Sequence, residues 1–260
     1  MIGVVGPLAR DVVDGGAPRI GGAAYYCARA LAILGRPGVV ATKYSAGDRR
    51  LAAPLHGLGV PVAWRPSRET VAFRLANRGD EREHAIDALG EPFTVEDAAG
   101  WISEALAGAS WLHAGALSRA DFPVETLAAL ARGRRLSLDG QALVRPGRTG
   151  IVHPDADFDP RMLEHVSVLK LSEAEAKLVD LDSLSVPELL VTMGSRGVLL
   201  RADGREQHVP TRPLELPDPT GAGDAFAVSY LTARDSGQEP LAAARSATTV
   251  VRGLLSGWRS

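Results

Sequence analysis

One cysteine in 260 residues, Cys27, leaves no partner for an internal disulfide and no material for a cysteine-based metal cluster. It sits in the apolar series Ala24, Cys27, Ala28, Leu31 and reads as a packed thiol rather than a reactive one. Charge of either sign is not in excess: the formal net charge is -2, and no run of five like charges occurs. Neither nucleic acid nor an anionic membrane is therefore expected as a partner. No uncharged apolar stretch approaches the roughly 18 residues that a membrane helix needs. Residues 1–6 (MIGVVG) carry no basic leader, so a cytoplasmic protein is expected. The histidines, at 56, 84, 113, 153, 165 and 208, show no i, i+4 or His-Glu-x-x-His spacing, and no zinc site is expected. His113 itself reads as a satisfied, partly buried side chain. There is no Gly-x-x-x-x-Gly-Lys-Ser/Thr loop, and no Gly-x-Gly-x-x-Gly follows a strand. A Walker-type nucleotide site and a dinucleotide fold both lack their signature.

What is there is ordinary globular composition, 45% hydrophobic and 23% charged. Apolar runs such as 1–6, 39–43, 111–114, 136–139, 166–171 and 189–193 read as buried strands. Between them lie stretches with apolar residues three and four apart, for example Ala23 to Leu34 and Val95 to Leu106, which read as helices. This alternation predicts an α/β fold, a doubly wound three-layer sandwich with a mainly parallel central sheet. Ligands of such sheets bind at the carboxyl ends of the strands. Two regions, about 8–20 and 60–90, are instead short, alternating and half polar. They predict a small β lid on one domain spanning 1–260.

The most informative stretch is Asp218-Pro219-Thr220-Gly221-Ala222-Gly223-Asp224-Ala225-Phe226. Turn residues lead into a Gly-Ala-Gly bend, and a helix follows with Phe226, Tyr230 and Leu231 on one face. A helix that starts on small residues offers unpaired N–H groups to an anion. Asp224, in its first turn, stands where a base beside a phosphate cradle would stand. The same residues also suit a plain turn whose aspartate favours the helix dipole.

This nine-residue stretch resembles the C-terminal signature of the ribokinase-like, or PfkB, family of carbohydrate kinases. Gly21-Gly22 before a small-residue helix resembles the family's N-terminal signature, and Thr192-Met193-Gly194-Ser195-Arg196-Gly197 its Thr-x-Gly-x-x-Gly segment. Leu138-Asp139-Gly140-Gln141 with Arg145, and Lys170 to Ala176, are also similar. The resemblance implies that Asp224 is the catalytic base and that Gly221, Ala222, Gly223 and Asp224 form the anion hole. It implies a substrate site of Asp11, Gly21, Gly22 and Tyr26, and a nucleotide site of Thr192, Gly194, Gly197, Lys170 and Gly223. Glu175 matches the acidic end of an Asn-x-x-Glu motif that holds Mg2+ through water, and Asp218 with Thr220 matches positions for a monovalent cation such as K+. The chain departs from the pattern at Ser172, where the motif has asparagine, and at Ala9 and Tyr26, where ribose-binding members carry asparagines. Ribose is thereby disfavoured as substrate.

The resemblance implies an ATP-dependent kinase that moves the γ-phosphate to a hydroxyl of a small sugar, an inositol-like polyol or a nucleoside, with homodimerisation through the lid. The alternative is a catalytically weak regulatory relative of the same fold that binds nucleotide or sugar.

Overall fold

Along each central strand, successive side chains enter opposite hydrophobic layers, which is what burial of both sheet faces requires. Val4, Val40, Trp111, Val168 and Leu190 join one core, while their neighbours Val5, Ala41, Leu112, Leu169 and Leu189 join the other. The first core is closed by the helices Ala23–Leu34, Ala222–Asp235 and Pro240–Gly257; the second by Val124–Leu130 and the 95–106 segment. The computed structural model describes residues 1–78, 81–212 and 220–257. Among them the main sheet has nine strands, in the order Arg205–Val209, Val198–Ala202, Glu188–Thr192, Val166–Ser172, Arg135–Asp139, Trp111–Ala114, Ile2–Val5, Gly38–Ser45 and Val62–Ser67. The run from Glu188–Thr192 to Val62–Ser67 is parallel throughout, and the first two strands pair antiparallel as a hairpin. The expected three-layer α/β architecture is the observed one.

A second sheet of five strands covers the carboxyl edge: Gly150–Ile151, Glu81–Ala88, Val71–Arg78, Ala9–Val13 and Arg19–Gly21. It has its own small apolar cluster of Ala9, Val71, Phe73 and Ile86, closed by Leu117 from the body. The lid differs from expectation at both ends. Val62–Ser67 lies in the main sheet as its edge strand, parallel to Gly38–Ser45, and Gly150–Ile151 joins the lid. Its half-polar alternation, read as lid, belongs equally to the edge of a large sheet, where one side stays wet. Trp64 fixes the assignment by stacking on Tyr44 at 4.9 Å and donating its indole N–H to the Tyr44 carbonyl at 3.2 Å.

The helix expected over 95–106 is interrupted at Gly100, where φ −96 and ψ −113 break the hydrogen-bond ladder. No described helix is long and apolar enough to cross a membrane.

Candidate active site

The site is built where the first strand leaves the main sheet. Ile2–Val5 runs through Gly6 and Pro7 and becomes the lid strand Ala9–Val13. The chain returns at Gly22, whose φ of 87 is left-handed; a Cβ there would lie 2.6 Å from the Pro7 carbonyl oxygen and 2.7 Å from the Ala9 nitrogen. Only glycine lets the Ala23–Leu34 helix start so close to the preceding backbone. Gly21 makes room for a different group. A Cβ there would fall 2.0 Å from Oδ2 of Asp11, whose side chain is buried at the wall of the cleft. Gly21→Ala must therefore push the Asp11 carboxylate aside. If Asp11 grips acceptor hydroxyls, acceptor KM rises by roughly tenfold or more, the loss of a charge-assisted hydrogen bond, while kcat changes less. Steady-state kinetics over acceptor concentration would show it, and an unchanged KM would remove Asp11 from the substrate site.

Between lid and main sheet lies a cavity of about 260 Å³. Asp11, Tyr26, Phe73, Gln141, Arg145 and Asp224 line it, with Gly22, Thr220 and Gly221 at the back. Apolar walls with a few convergent polar groups are the usual form of a small-molecule site. Tyr26 presents its ring to Gly221, where a Cβ would lie 2.3 Å from a ring carbon. Gly221 is thus required twice, by that contact and by a φ of 83. Arg145 comes from the body, yet its guanidinium stands 5.3 Å from the centre of the lid's Phe73 ring and donates to the Leu117 carbonyl at 3.1 Å. Burial depresses its pKa, and the surrounding carboxylates Glu175, Asp139, Asp121 and Asp11 oppose that.

Asp224 lies in the first turn of Ala222–Asp235 and faces this cavity. Burial, followed by the negative charge of Asp139, pushes its carboxyl up to about 7, against the pull of Lys170 and its own backbone N–H. A carboxylate so placed titrates at the pH where a general base is most effective. Behind the same turn runs a buried ion pair, Lys170 Nζ donating to Asp139 Oδ2 at 2.7 Å. A Cβ at Gly223 would lie 2.9 Å from Lys170 Nζ, so the ammonium is seated directly beneath the helix start. Burial alone would lower the Lys170 pKa; Asp139, Glu175 and Asp224 together raise it instead, and the ammonium stays charged. The helix N-terminus and this ammonium are the positive groups that an anion approaching the turn would meet.

The segment expected to bind nucleotide is a tight loop at the end of Glu188–Thr192. Met193 N–H donates to the Gly197 carbonyl at 2.8 Å, and Gly194 and Gly197 hold φ of 56 and 97. Thr192 donates its hydroxyl to the Leu171 carbonyl at 3.2 Å, next to Ser172 in the parallel register. Ser172 and Glu175 make a reciprocal capping box: Ser172 N–H donates to Glu175 Oε2 at 2.7 Å, and Glu175 N–H to Ser172 Oγ at 3.3 Å. The structure thus gives both a local structural role. Of the proposed monovalent-cation pair, Thr220 lines the cavity, and Asp218 lies outside the described residues.

Two side chains read from the sequence as core packing touch the site. Cys27 is fully buried, but its Sγ is 3.9 Å from Asp224 Oδ1. His113 is also fully buried rather than partly; burial lowers its pKa to about 4, so it is neutral. Its Nδ1 is 3.2 Å from Ser137 Oγ, whereas Nε2 has no hydrogen-bond partner among the described residues, so the histidine is not satisfied there. The Lys170–Asp139 pair and the reach of Arg145 to the lid also had no sequence signal of their own, because each joins residues on different strands or sheets.

Residues 19–251 match the model of the pfkB family carbohydrate kinases. The chain belongs to the pfkB family. Among curated relatives of this pfkB member, inositol 3-kinase of Zea mays is 36% identical over 112 residues, covering 41% of this chain and 30% of the maize protein. That match spans less than a third of the relative's own length. Among solved structures, a pyrophosphate-dependent kinase of the ribokinase family in complex with sulfate superposes with a TM-score of 0.84 at 24% identity, covering 98% of this chain and 95% of the other. A pyrophosphate-dependent myo-inositol-1 kinase converted into a myo-inositol-3 kinase superposes with a TM-score of 0.81 at 25% identity, covering 98% and 93%.

Proposed function

We propose that this pfkB-family chain transfers the γ-phosphate of ATP to a hydroxyl of a small polyol, inositol-like rather than ribose, with Asp224 as general base. The observation that carries the reading is Asp224 itself. It is a carboxylate with a pKa of about 7, set in a helix N-terminal turn that faces a lidded cavity. Asp11 and Arg145 would hold the acceptor, and Asp224 would accept the proton of the attacking hydroxyl. The N–H groups of Ala222, Gly223 and Asp224, with Lys170 beneath them, would meet charge growing on the transferred phosphoryl oxygens. A cavity of about 260 Å³ suits a single-ring acceptor, and the likeness to the maize inositol 3-kinase favours a polyol.

Glu175 would hold magnesium through water with the carboxylate oxygen that its bond from Ser172 N–H leaves over. Glu175 is a hard oxygen ligand whose negative charge already acts on Lys170 and Arg145. Bound magnesium would neutralise charge on the β- and γ-oxygens of the donor. Asp218 and Thr220 complete this reading as the place for a potassium ion, and the lid as a homodimer surface.

A second reading concerns the donor alone. Between the end of the Arg205–Val209 strand and the Pro240–Gly257 helix is a cavity of about 450 Å³ whose described lining includes Arg212, Arg245 and Arg252 with Thr211 and Pro210. No aromatic side chain stands among its described lining residues to stack on a base. Guanidinium groups suit phosphate oxygens better than a purine face, which favours pyrophosphate. A phosphorylation screen with ATP or pyrophosphate, magnesium, and inositols, hexoses, pentoses and nucleosides separates the readings. Turnover of an inositol with ATP supports the first, and turnover with pyrophosphate alone the second. Tight donor binding without turnover on any acceptor would leave a regulatory relative.

A further inference from the structure

Beneath the catalytic turn, three elements that are distant in sequence bring together a set of metal-binding atoms. Cys27 comes from the Ala23–Leu34 helix, His113 from the Trp111–Ala114 strand and Asp224 from the first turn of Ala222–Asp235. Cys27 Sγ, a ring nitrogen of His113 and a carboxylate oxygen of Asp224 all lie within 4.8 Å of one another. A tetrahedral zinc ion has bonds of about 2.0–2.3 Å and so needs ligand atoms roughly 3.2–3.8 Å apart. Small side-chain rotations bridge that difference.

The second observation is His113 Nε2, a fully buried ring nitrogen with no hydrogen-bond partner among the described residues. Leaving a buried polar atom unpaired costs free energy, and such atoms call for an explanation. Ser137 Oγ occupies Nδ1 at 3.2 Å. If Nδ1 carries the proton and donates it to Ser137, the lone pair of Nε2 is left for a metal. This is the outer-shell arrangement that orients metal-bound imidazoles.

We infer that Cys27, His113 and Asp224 form an inhibitory binding site for a thiophilic divalent cation, zinc or cadmium. Sulfur and imidazole donors select such ions over magnesium. Binding transfers the thiol proton of Cys27 to solvent, and with it the proton of Asp224 wherever that carboxyl is protonated. The resulting thiolate and the Asp224 carboxylate then cancel both charges of the ion, so burying it leaves no net charge. Asp224 also lines the acceptor cavity, so the fourth coordination position opens towards substrate, as in accessible zinc sites. An ion there occupies the carboxylate that otherwise takes the acceptor proton. The inhibitory consequence rests on the proposed kinase activity; the binding does not.

The test uses metal-free full-length protein titrated with cadmium, read by cadmium–thiolate charge-transfer absorption in the ultraviolet. Stoichiometric appearance of the band is expected, with its loss in Cys27→Ser and an affinity roughly tenfold or more weaker in His113→Gln. Circular dichroism establishes that both variants are folded. In parallel, zinc is titrated into the phosphotransfer assay with magnesium in excess. Cys27→Ser is expected to need about tenfold more zinc for half-inhibition than the wild type. No thiolate band in folded wild-type protein, or a band of unchanged affinity in His113→Gln, overturns the site. A band that behaves as expected, in a protein that phosphorylates nothing, supports the site and refutes the function.

Discussion

Asp224→Asn is expected to lower kcat by about 10²–10⁴-fold, the usual weight of a general base, and at the same time to make the protein more stable above neutral pH. The two effects share one cause. Folding places the carboxyl where burial and Asp139 raise its pKa from 3.8 to about 7. The folded state therefore holds a proton that the unfolded state has lost, at every pH between those values. Stability falls as pH rises through that window, and above about 7 the whole penalty of a charged Asp224 is present. Asparagine keeps the shape and removes the charge. Thermal unfolding above neutrality should then show a gain on the order of a few degrees, which disappears below about pH 3, where Asp224 is protonated in both states. The wild-type rate should rise with pH through about 7 and level off. A kcat unchanged by the substitution would end the base assignment. Lost activity without the stability gain would mean that Asp224 is not desolvated as described.

The second large effect concerns the ion pair beneath the proposed anion hole. Lys170→Met leaves Asp139 as a buried charge without its counter-ion, and the expected loss of stability is about 3–5 kcal/mol. Asp139→Leu strands Lys170 in the same way. Combining the two replaces the pair with apolar side chains of similar size, and much of the stability should return, since well-packed apolar substitutes for buried pairs are often neutral. Activity should not return, because the cation against Gly223 is gone. Chemical denaturation of the single and double variants, beside their kcat, separates the two roles. Full activity in the double variant would make Lys170 structural only.

How far the sequence could be read depended on how local each determinant is. The strands at 1–6 and 189–193 announce themselves by composition, and the turn at Gly221–Asp224 by its small residues, because all their causes lie within a few positions. At Val62–Ser67 the alternation records that one face is wet and says nothing of which sheet supplies the partner. Gly100 could not be foreseen as a break, since a lone glycine is compatible with a helix. His113 and Cys27 stand in apolar sequence patterns that any core residue shares. Their significance lies in the distance between a strand and two helices, which no spacing along the chain encodes. Gly21, by contrast, was found through a motif, but its physical task of leaving volume for Asp11 became visible only in three dimensions.

The lid is stitched together from three separate lengths of chain: 9–21, 71–88 and the short strand Gly150–Ile151. A flap hung on two hinges can swing; a sheet anchored to the body through this many connections, and stacked on a half-buried Arg145, resists swinging and yields more readily by sliding. The same stitching governs how acceptor preference could be re-engineered. Exchanging one contiguous cassette with a relative would graft a partial sheet onto strands that do not match its register. The lid residues that line the cavity, among them Asp11, Phe73, Leu75 and His84, come from two of these lengths, so an exchange meant to alter the pocket would have to move both together.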